Sequence, residues 1–227
     1  MPQLIGLSIL ILSIALLPDG LPSAGLWWDF LIGLGFCAIA IIAFLGWDSE
    51  SPATNPRLRL HRNLAVLTTL LTVTHALGYL LLDSTLIDYL LPTAPAYMLA
   101  GVAAFLSLVV VTVSSFPAPR KRLYRNFPAF RSWHRILFVV ILIGSGWHVA
   151  GTDFSLPGIW QLLLAGLLLA VLPLAAYIGR RGGSKPVLSR PPLDLPAADR
   201  SALSGGAILV LISAGYAFIR QSACAVC

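Results

Sequence analysis

Long apolar runs recur along the whole chain and limit its fold more than any other feature. A helix that crosses the hydrocarbon core of a bilayer needs roughly 20 residues of this kind. The 227-residue chain is 11% charged, whereas an ordinary soluble domain is about 25% charged. We therefore predict an all-α, polytopic membrane helix bundle of six to seven transmembrane helices, at residues 3–17, 26–46, 60–82, 96–115, 133–152, 158–178 and 202–219.

The first and last runs are the weakest of the seven. Residues 4–17 have the length of a signal-peptide apolar region, but they lack a basic start and a clear cleavage site. We expect a retained helix there. The run 202–219 is rich in Gly, Ser and Ala and is counted as an extra helix. The prediction is a single transmembrane domain over residues 1–227.

Fourteen of the fifteen basic residues lie in three alternate connections, all on one side of the predicted bundle. Asp19, Asp83, Asp88 and Asp153 lie in the opposite connections, and Arg220 is the one basic residue outside the pattern. The positive-inside rule places the basic loops in the cytoplasm, which predicts an integral protein of a bacterial inner membrane and removes any need for a nucleic-acid partner. The basic residues cluster as Arg57, Arg59 and Arg62; as Arg120, Lys121, Arg122, Arg125, Arg131 and Arg135; and as Arg180, Arg181, Lys185, Arg190 and Arg200.

The four histidines form two equally spaced pairs, in "HRNLAVLTTLLTVTH" (residues 61–75) and "HRILFVVILIGSGWH" (residues 134–148). Fourteen residues of α-helix rise about 21 Å and turn about 1400°, close to four whole turns. Both histidines of a helix therefore share a face at two depths. Two crossings separate the helices, so they run in the same direction. We expect His61 to face His134 at the inner level and His75 to face His148 at the outer level.

Facing imidazoles inside a membrane suit a metal. Haem iron takes two axial ligands, and bis-histidine ligation favours electron transfer because no coordination position stays open. Zinc fits less well because it needs three or four ligands at one point. Two levels then indicate two stacked haems, although a lone membrane histidine also serves simply to hydrogen-bond a neighbouring helix. The predicted metal ligands are His61, His75, His134 and His148.

Three arginines lie at the inner level and are candidates for the cofactor site. Haem propionates are anionic, and the guanidinium groups of Arg62, Arg131 and Arg135 are placed to pair with them. The alternative is that these arginines only set the topology.

The segments "RLHRNLAVLTTLLTVTHALGYL" and "FRSWHRILFVVILIGSGWHVAG" resemble the histidine helices of the ferric reductase-like transmembrane domain. That superfamily includes ferric reductases, the membrane part of NADPH oxidases and the haem subunit of a bacterial methionine sulfoxide reductase system. The resemblance covers about residues 28–178 and implies two b-type haems on the four histidines. Cytochromes b of quinol-oxidising complexes carry paired histidines at a similar spacing.

The resemblance implies an electron-transfer component of an oxidoreductase, with no catalytic residue of its own. Ferric reductases and NADPH oxidases continue into flavin- and nicotinamide-binding domains, whereas the 227 residues contain no such glycine pattern. A cytoplasmic flavoprotein or a membrane quinol is then expected to supply electrons, with flavin or quinone belonging to that partner. An acceptor or redox partner on the outer side would receive them.

Two other functions remain open from the residues alone. One is a quinol-oxidising, cytochrome b-like enzyme with its own site. The other is a non-redox haem or metal transporter, which is disfavoured because transporters show polar or broken helices near the midplane. The "CAVC" of Cys224 and Cys227 could relay electrons, but an incidental disulfide at a frayed end is the expected outcome.

Overall fold

The computed structural model describes residues 2–16, 25–47, 55–152, 166 and 195–224. Every regular element within these ranges is helical, as predicted. A short 3-10 helix, Ser84–Leu90, connects α3 to α4. The α-helices are α1 (Pro2–Leu16), α2 (Leu26–Trp47), α3 (Asn55–Leu82), α4 (Ala96–Ser114), α5 (Pro117–Leu123), α6 (Phe127–Gly151) and α7 (Leu195–Cys224).

Five of the described helices contain stretches long and apolar enough to cross a membrane, which identifies an integral membrane protein. Each corresponds to a predicted span. The apolar part of α1, Leu4–Leu16, is shorter, and the predicted span 158–178 lies outside the described residues apart from residue 166. A count of six to seven therefore stays a prediction. The five stretches are Leu26–Gly46, Leu58–Leu82, Ala96–Ser114, Phe127–Gly151 and Asp199–Ser222.

The helix α2 is the centre of the packing. Its side chains form the middle of a core that also includes residues of α1, α3 and α7. A second, smaller core joins α4 to α6 through Leu108, Val111 and Ile141, and Ile42 of α2 belongs to it as well. The described bundle thus has a first half, made of α1, α2, α3 and α7, and a second half, made of α4 and α6.

A polar cluster ties the start of α7 to the start of α3. The Arg59 guanidinium donates to both carboxylate oxygens of Asp199, with Nε 2.7 Å from Oδ1. Asn63 Nδ2 donates to the same oxygen at 2.8 Å. Because both helices begin at this cluster, α3 and α7 run in the same direction.

A buried ion pair ties the other end of α7 to the start of α2. Arg220 Nε lies 3.5 Å from Asp29 Oδ1, and both side chains are almost fully buried. Arg220 also donates to the Tyr216 hydroxyl at 3.0 Å. Since the end of α7 meets the start of α2, these helices are antiparallel. The one arginine outside the basic loops is therefore neutralised within the bundle.

Local signals place α6, which carries two of the histidines. The Asn126 side chain caps the helix by accepting a hydrogen bond from Ala129 N at 2.9 Å, and Pro128 stands in the first turn, where no backbone donor is needed.

At the other end of the bundle, Asp83 accepts hydrogen bonds from the hydroxyl and backbone N–H of Thr85 at 2.7 and 2.9 Å. Both bonds stabilise the ionised carboxylate and so hold the pKa of Asp83 below its usual value; the bond from the Thr85 hydroxyl has the larger effect.

The buried ion pair generates a stability prediction. Asp29→Asn removes the carboxylate that offsets the buried Arg220 charge, and breaking a buried ion pair in this way typically costs about 3–5 kcal/mol. We expect the double variant Asp29→Leu/Arg220→Met to recover most of the lost stability, because it removes both charges and keeps apolar volume. Unfolding in mixed detergent micelles measures both effects. A double variant as unstable as Asp29→Asn would contradict this account.

Candidate functional site

The structure places His61 of α3 beside His134 of α6. Their ring centroids are 6.2 Å apart, and the ring planes are inclined by 42°. These two residues come from different halves of the bundle. Over the described residues, α3 packs mainly on α2 and α6 packs mainly on α4, so the two histidine helices have little direct contact. The imidazoles therefore face each other across the boundary between the halves.

The second pair, His75 and His148, lies at the opposite end of the same two helices. The two side chains are close enough to interact electrostatically. Because the earlier histidines of α3 and α6 are neighbours and the later ones also approach each other, the two helices run in the same direction. This is the arrangement that the spacing and the charge pattern predicted.

We keep the predicted labels, inner for His61 and His134 and outer for His75 and His148. Each outer histidine is anchored to a backbone carbonyl of another helix. His75 Nδ1 lies 2.8 Å from Leu31 O of α2, and His148 Nδ1 lies 3.3 Å from Tyr97 O of α4. A carbonyl oxygen only accepts hydrogen bonds, so Nδ1 must carry the hydrogen in both rings. In a neutral imidazole with its hydrogen on Nδ1, Nε2 has a free lone pair and is the atom that can bind a metal.

His134 of the inner pair is held differently. His134 Nδ1 is buried and has no hydrogen-bond partner within the part of the chain that the structure describes. Its ring packs instead against Phe130, with centroids 5.4 Å apart. Phe130 in turn contacts Tyr124 and Phe127. We call these three residues the aromatic cap, because they lie between the inner pair and the short helix α5.

The three predicted arginines lie at the same end of the bundle as the inner pair. The Arg62 guanidinium is 5.6 Å from the centre of the Phe116 ring, and that of Arg131 is 5.9 Å from the Phe127 ring. Arg135 directly follows His134 and is exposed. Arg120 of α5, a residue not predicted for the site, lies over both Phe127 and Phe130 at 5.7 and 5.6 Å. The pairing of Arg62, Arg131 and Arg135 with a cofactor stays a prediction.

Sequence analysis did not identify four of the residues that surround the outer pair. A Cβ built on Gly35 would lie 2.9 Å from the His75 ring, and one on Gly101 would lie 2.7 Å from the His148 ring. Tyr79 meets the His75 ring edge-on at 5.0 Å, and Trp28 packs on Tyr79 at 4.8 Å. Glycine is common in membrane helices anyway, so the sequence carries no signal that selects these two.

Each histidine has one other histidine as its neighbour. No three His, Cys, Asp or Glu side chains come together in a metal-binding group among the described residues. Of the "CAVC" cysteines, Cys224 ends α7 and Cys227 lies outside the described residues. In the described chain the histidines therefore form two pairs at two levels: His61 and His134 have neighbouring rings, and His75 and His148 are close enough to interact electrostatically.

Comparison with known proteins gives one match. The family model described as "Ferric reductase like transmembrane component" matches residues 24–145, just over half of the chain. The matched segment holds His61, His75 and His134 and ends three residues before His148. No match was found among the curated proteins or among the solved structures.

Proposed function

Because the chain belongs to the family of ferric reductase like transmembrane components, we propose that it carries electrons across the membrane through two b-type haems. His61 and His134 would hold the inner haem, and His75 and His148 the outer one. The electrons would come from a cytoplasmic flavoprotein or a membrane quinol and would leave to an acceptor on the outer side.

The distance between the inner imidazoles is the observation that best supports the proposal. A ligating imidazole nitrogen lies about 2 Å from its metal and the ring centre roughly 1 Å further out, so two rings on opposite sides of one metal have centroids about 6 Å apart. The centroids of His61 and His134 are 6.2 Å apart. The spacing therefore suits two axial ligands of one iron.

The outer pair supports the proposal through its hydrogen bonds. Histidines that ligate a metal typically donate their other ring N–H to a carbonyl or carboxylate, which fixes the tautomer and the ring orientation. His75 and His148 both have this arrangement with backbone carbonyls. Neither ring needs to change tautomer to offer Nε2 to a metal.

The residues of this chain would orient the cofactors and keep water away from them. A haem held between two imidazoles supplies an iron that takes up and gives up one electron with no open coordination position. Leu64 and Leu71 of α3 and Ile141 of α6 are buried between the two histidine levels. These apolar side chains would help to keep water out of the interval between the levels. Arg62, Arg131 and Arg135 lie where they could neutralise the propionates of the inner haem.

The inner end has features suited to receiving electrons from an acidic partner. Lys121 and Arg122 of α5 are exposed, and a cationic patch attracts an acidic surface over several ångströms. Directly beneath, the aromatic cap contacts His134 through Phe130. We infer that a flavoprotein would dock here and that its flavin would approach the inner haem across the aromatic cap.

The outer end offers a matching exit. Tyr79 contacts His75, and Trp28 contacts Tyr79, so a series of rings leads from an outer ligand to the first turns of α2. The neighbouring Trp27 is exposed. An external acceptor would take electrons at this end of the bundle.

The ligand assignment predicts a defined loss of haem. Purified wild-type protein should show reduced b-type bands at about two haems per chain. His75→Ala should lose the outer haem and keep the inner one, because His61 and His134 remain. Thr74→Ala, which changes the exposed neighbour of His75, is the control and should keep both. A His75→Ala protein that retains two haems with unchanged spectra would overturn the assignment.

The donor assignment predicts that the purified 227-residue chain does not oxidise NADPH by itself. A nicotinamide gives up two electrons as a hydride, whereas a haem accepts one, so a flavin normally mediates. Dithionite, a quinol or an added flavin reductase with free flavin should reduce the haem bands. Prompt reduction by NADPH alone in a flavin-free sample would show that the chain has a cofactor site of its own.

The direction of electron flow predicts sidedness. An epitope tag inserted near residue 120 should be protected from external protease in intact cells, because the basic connections are expected in the cytoplasm. A tag near residue 88, beside the outer pair, should be cleaved. The opposite pattern would reverse the proposed direction.

A further inference from the structure

Two glycines have the same relation to the two outer histidines. In α2, Gly35 follows Leu31 by four residues, and the carbonyl of Leu31 accepts the hydrogen bond from His75. In α4, Gly101 follows Tyr97 by four residues, and the carbonyl of Tyr97 accepts the hydrogen bond from His148. The same local arrangement thus occurs in both halves of the bundle.

Helix geometry explains why a glycine stands at this position. The carbonyl of residue i already accepts the backbone N–H of residue i+4. Every Cα–Cβ bond of a helix tilts toward the N-terminus, so the side chain at i+4 leans back over the carbonyl of residue i. A second donor coming from a neighbouring helix can reach that carbonyl more closely when the side chain at i+4 is missing.

The distances show that both rings occupy the place of the missing side chain. A Cβ on Gly35 would lie 2.9 Å from His75 Cε1 and 3.0 Å from Nδ1. A Cβ on Gly101 would lie 2.7 Å from His148 Nδ1 and 2.9 Å from Cγ. These separations are shorter than van der Waals contact, so even alanine would push either ring away from its carbonyl.

We propose that Gly35 and Gly101 are positioning residues that set the tautomer and the direction of the two outer imidazoles. Each glycine admits a histidine ring to the carbonyl four residues earlier, so that Nδ1 keeps the hydrogen and Nε2 points into the gap between α3 and α6. That Nε2 then ligates a haem rests on the proposed function. The tautomer does not depend on the proposed function, because both hydrogen bonds join groups of the protein itself.

The arrangement distinguishes the two outer histidines from His134. Each half of the bundle anchors its own outer histidine: α2 holds the His75 ring of α3, and α4 holds the His148 ring of α6. At the inner level, His134 Nδ1 has no hydrogen-bond partner in the described chain. The outer site is therefore oriented before any cofactor binds, while His134 has no such fixed orientation.

A hydrogen bond from Nδ1 to a carbonyl also changes the chemistry of the ligand. It raises the basicity of the imidazole, and a more basic ligand favours the ferric over the ferrous state of a bound iron. Losing one of these bonds should therefore raise the reduction potential of the outer haem. The inner haem has different ligands and should not change.

The direct test is the tautomer of the histidines in the full-length chain prepared without haem. Solid-state NMR of ¹⁵N-histidine in lipid bilayers distinguishes a hydrogen on Nδ1 from one on Nε2. Variants in which one histidine at a time is substituted assign the signals. We expect His75 and His148 of the wild-type chain to carry the hydrogen on Nδ1. Gly35→Ala should convert His75 to a mixture and leave His148 alone, and Gly101→Ala should do the reverse.

Two glycine variants serve as controls. Gly33→Ala, on the same helix as Gly35, places its Cβ 3.0 Å from Ser213 Cα of α7 and so disturbs helix packing without touching a histidine. Gly215→Ala adds a methyl group with nothing within 4 Å. Both should keep the wild-type histidine signals. If Gly33→Ala shifts them as Gly35→Ala does, the effect is general packing and the proposal falls.

The haem-loaded protein gives a second readout. Redox titration should show that Gly35→Ala and Gly101→Ala raise the potential of one haem, or lose that haem, and leave the other unchanged. A hydrogen on Nε2 of His75 or His148 in the wild-type chain would overturn the proposal without any variant. If the tautomers are as expected but the wild-type protein binds no haem, the proposed function fails and the positioning of the rings stands.

Discussion

The lack of water in the bilayer core is the constraint on which this structure depends. Backbone groups there must be satisfied within the chain, so the spans are helices. Some hydroxyls are satisfied in the same way: Thr68 and Thr72 donate to carbonyls one turn earlier in their own helix. The outer histidines are different because their ring nitrogens reach carbonyls of other helices. Ionisable side chains inside a membrane span are candidates for a functional site by default.

The two-part packing explains how facing pairs arise. The first half, centred on α2, holds α3, and the second half holds α6 on α4. The halves meet where Ile42 of α2 joins the second core and Val149 of α6 joins the first. Each histidine helix is thus packed against a helix of its own half. The distance between paired imidazoles is consequently set by how the halves meet, and only weakly by direct packing of α3 on α6.

Charges at the helix ends complete the arrangement. Asp199 joins α7 to Arg59 at the basic end, and Arg220 joins α7 to Asp29 at the other. The Arg59–Asp199 pair is partly exposed, so its hydrogen bonds form in contact with solvent. The second is buried, and its two charges offset each other where either alone would be costly. Together they fix the direction of α7 relative to both α2 and α3.

The sequence alone determined the helical class, five spans that the structure confirms, and the levels of the four histidines, because a helix repeats every 3.6 residues and the spacing of two side chains fixes their relative faces. It could not determine the burial of Arg220, since its partner Asp29 is remote in the chain. Nor could it select the carbonyls of Leu31 and Tyr97 or the glycines beside them. Every residue has a carbonyl, and a missing side chain carries no chemical label. Only the packing of α2 on α3 and of α4 on α6 brings those groups to the histidine rings.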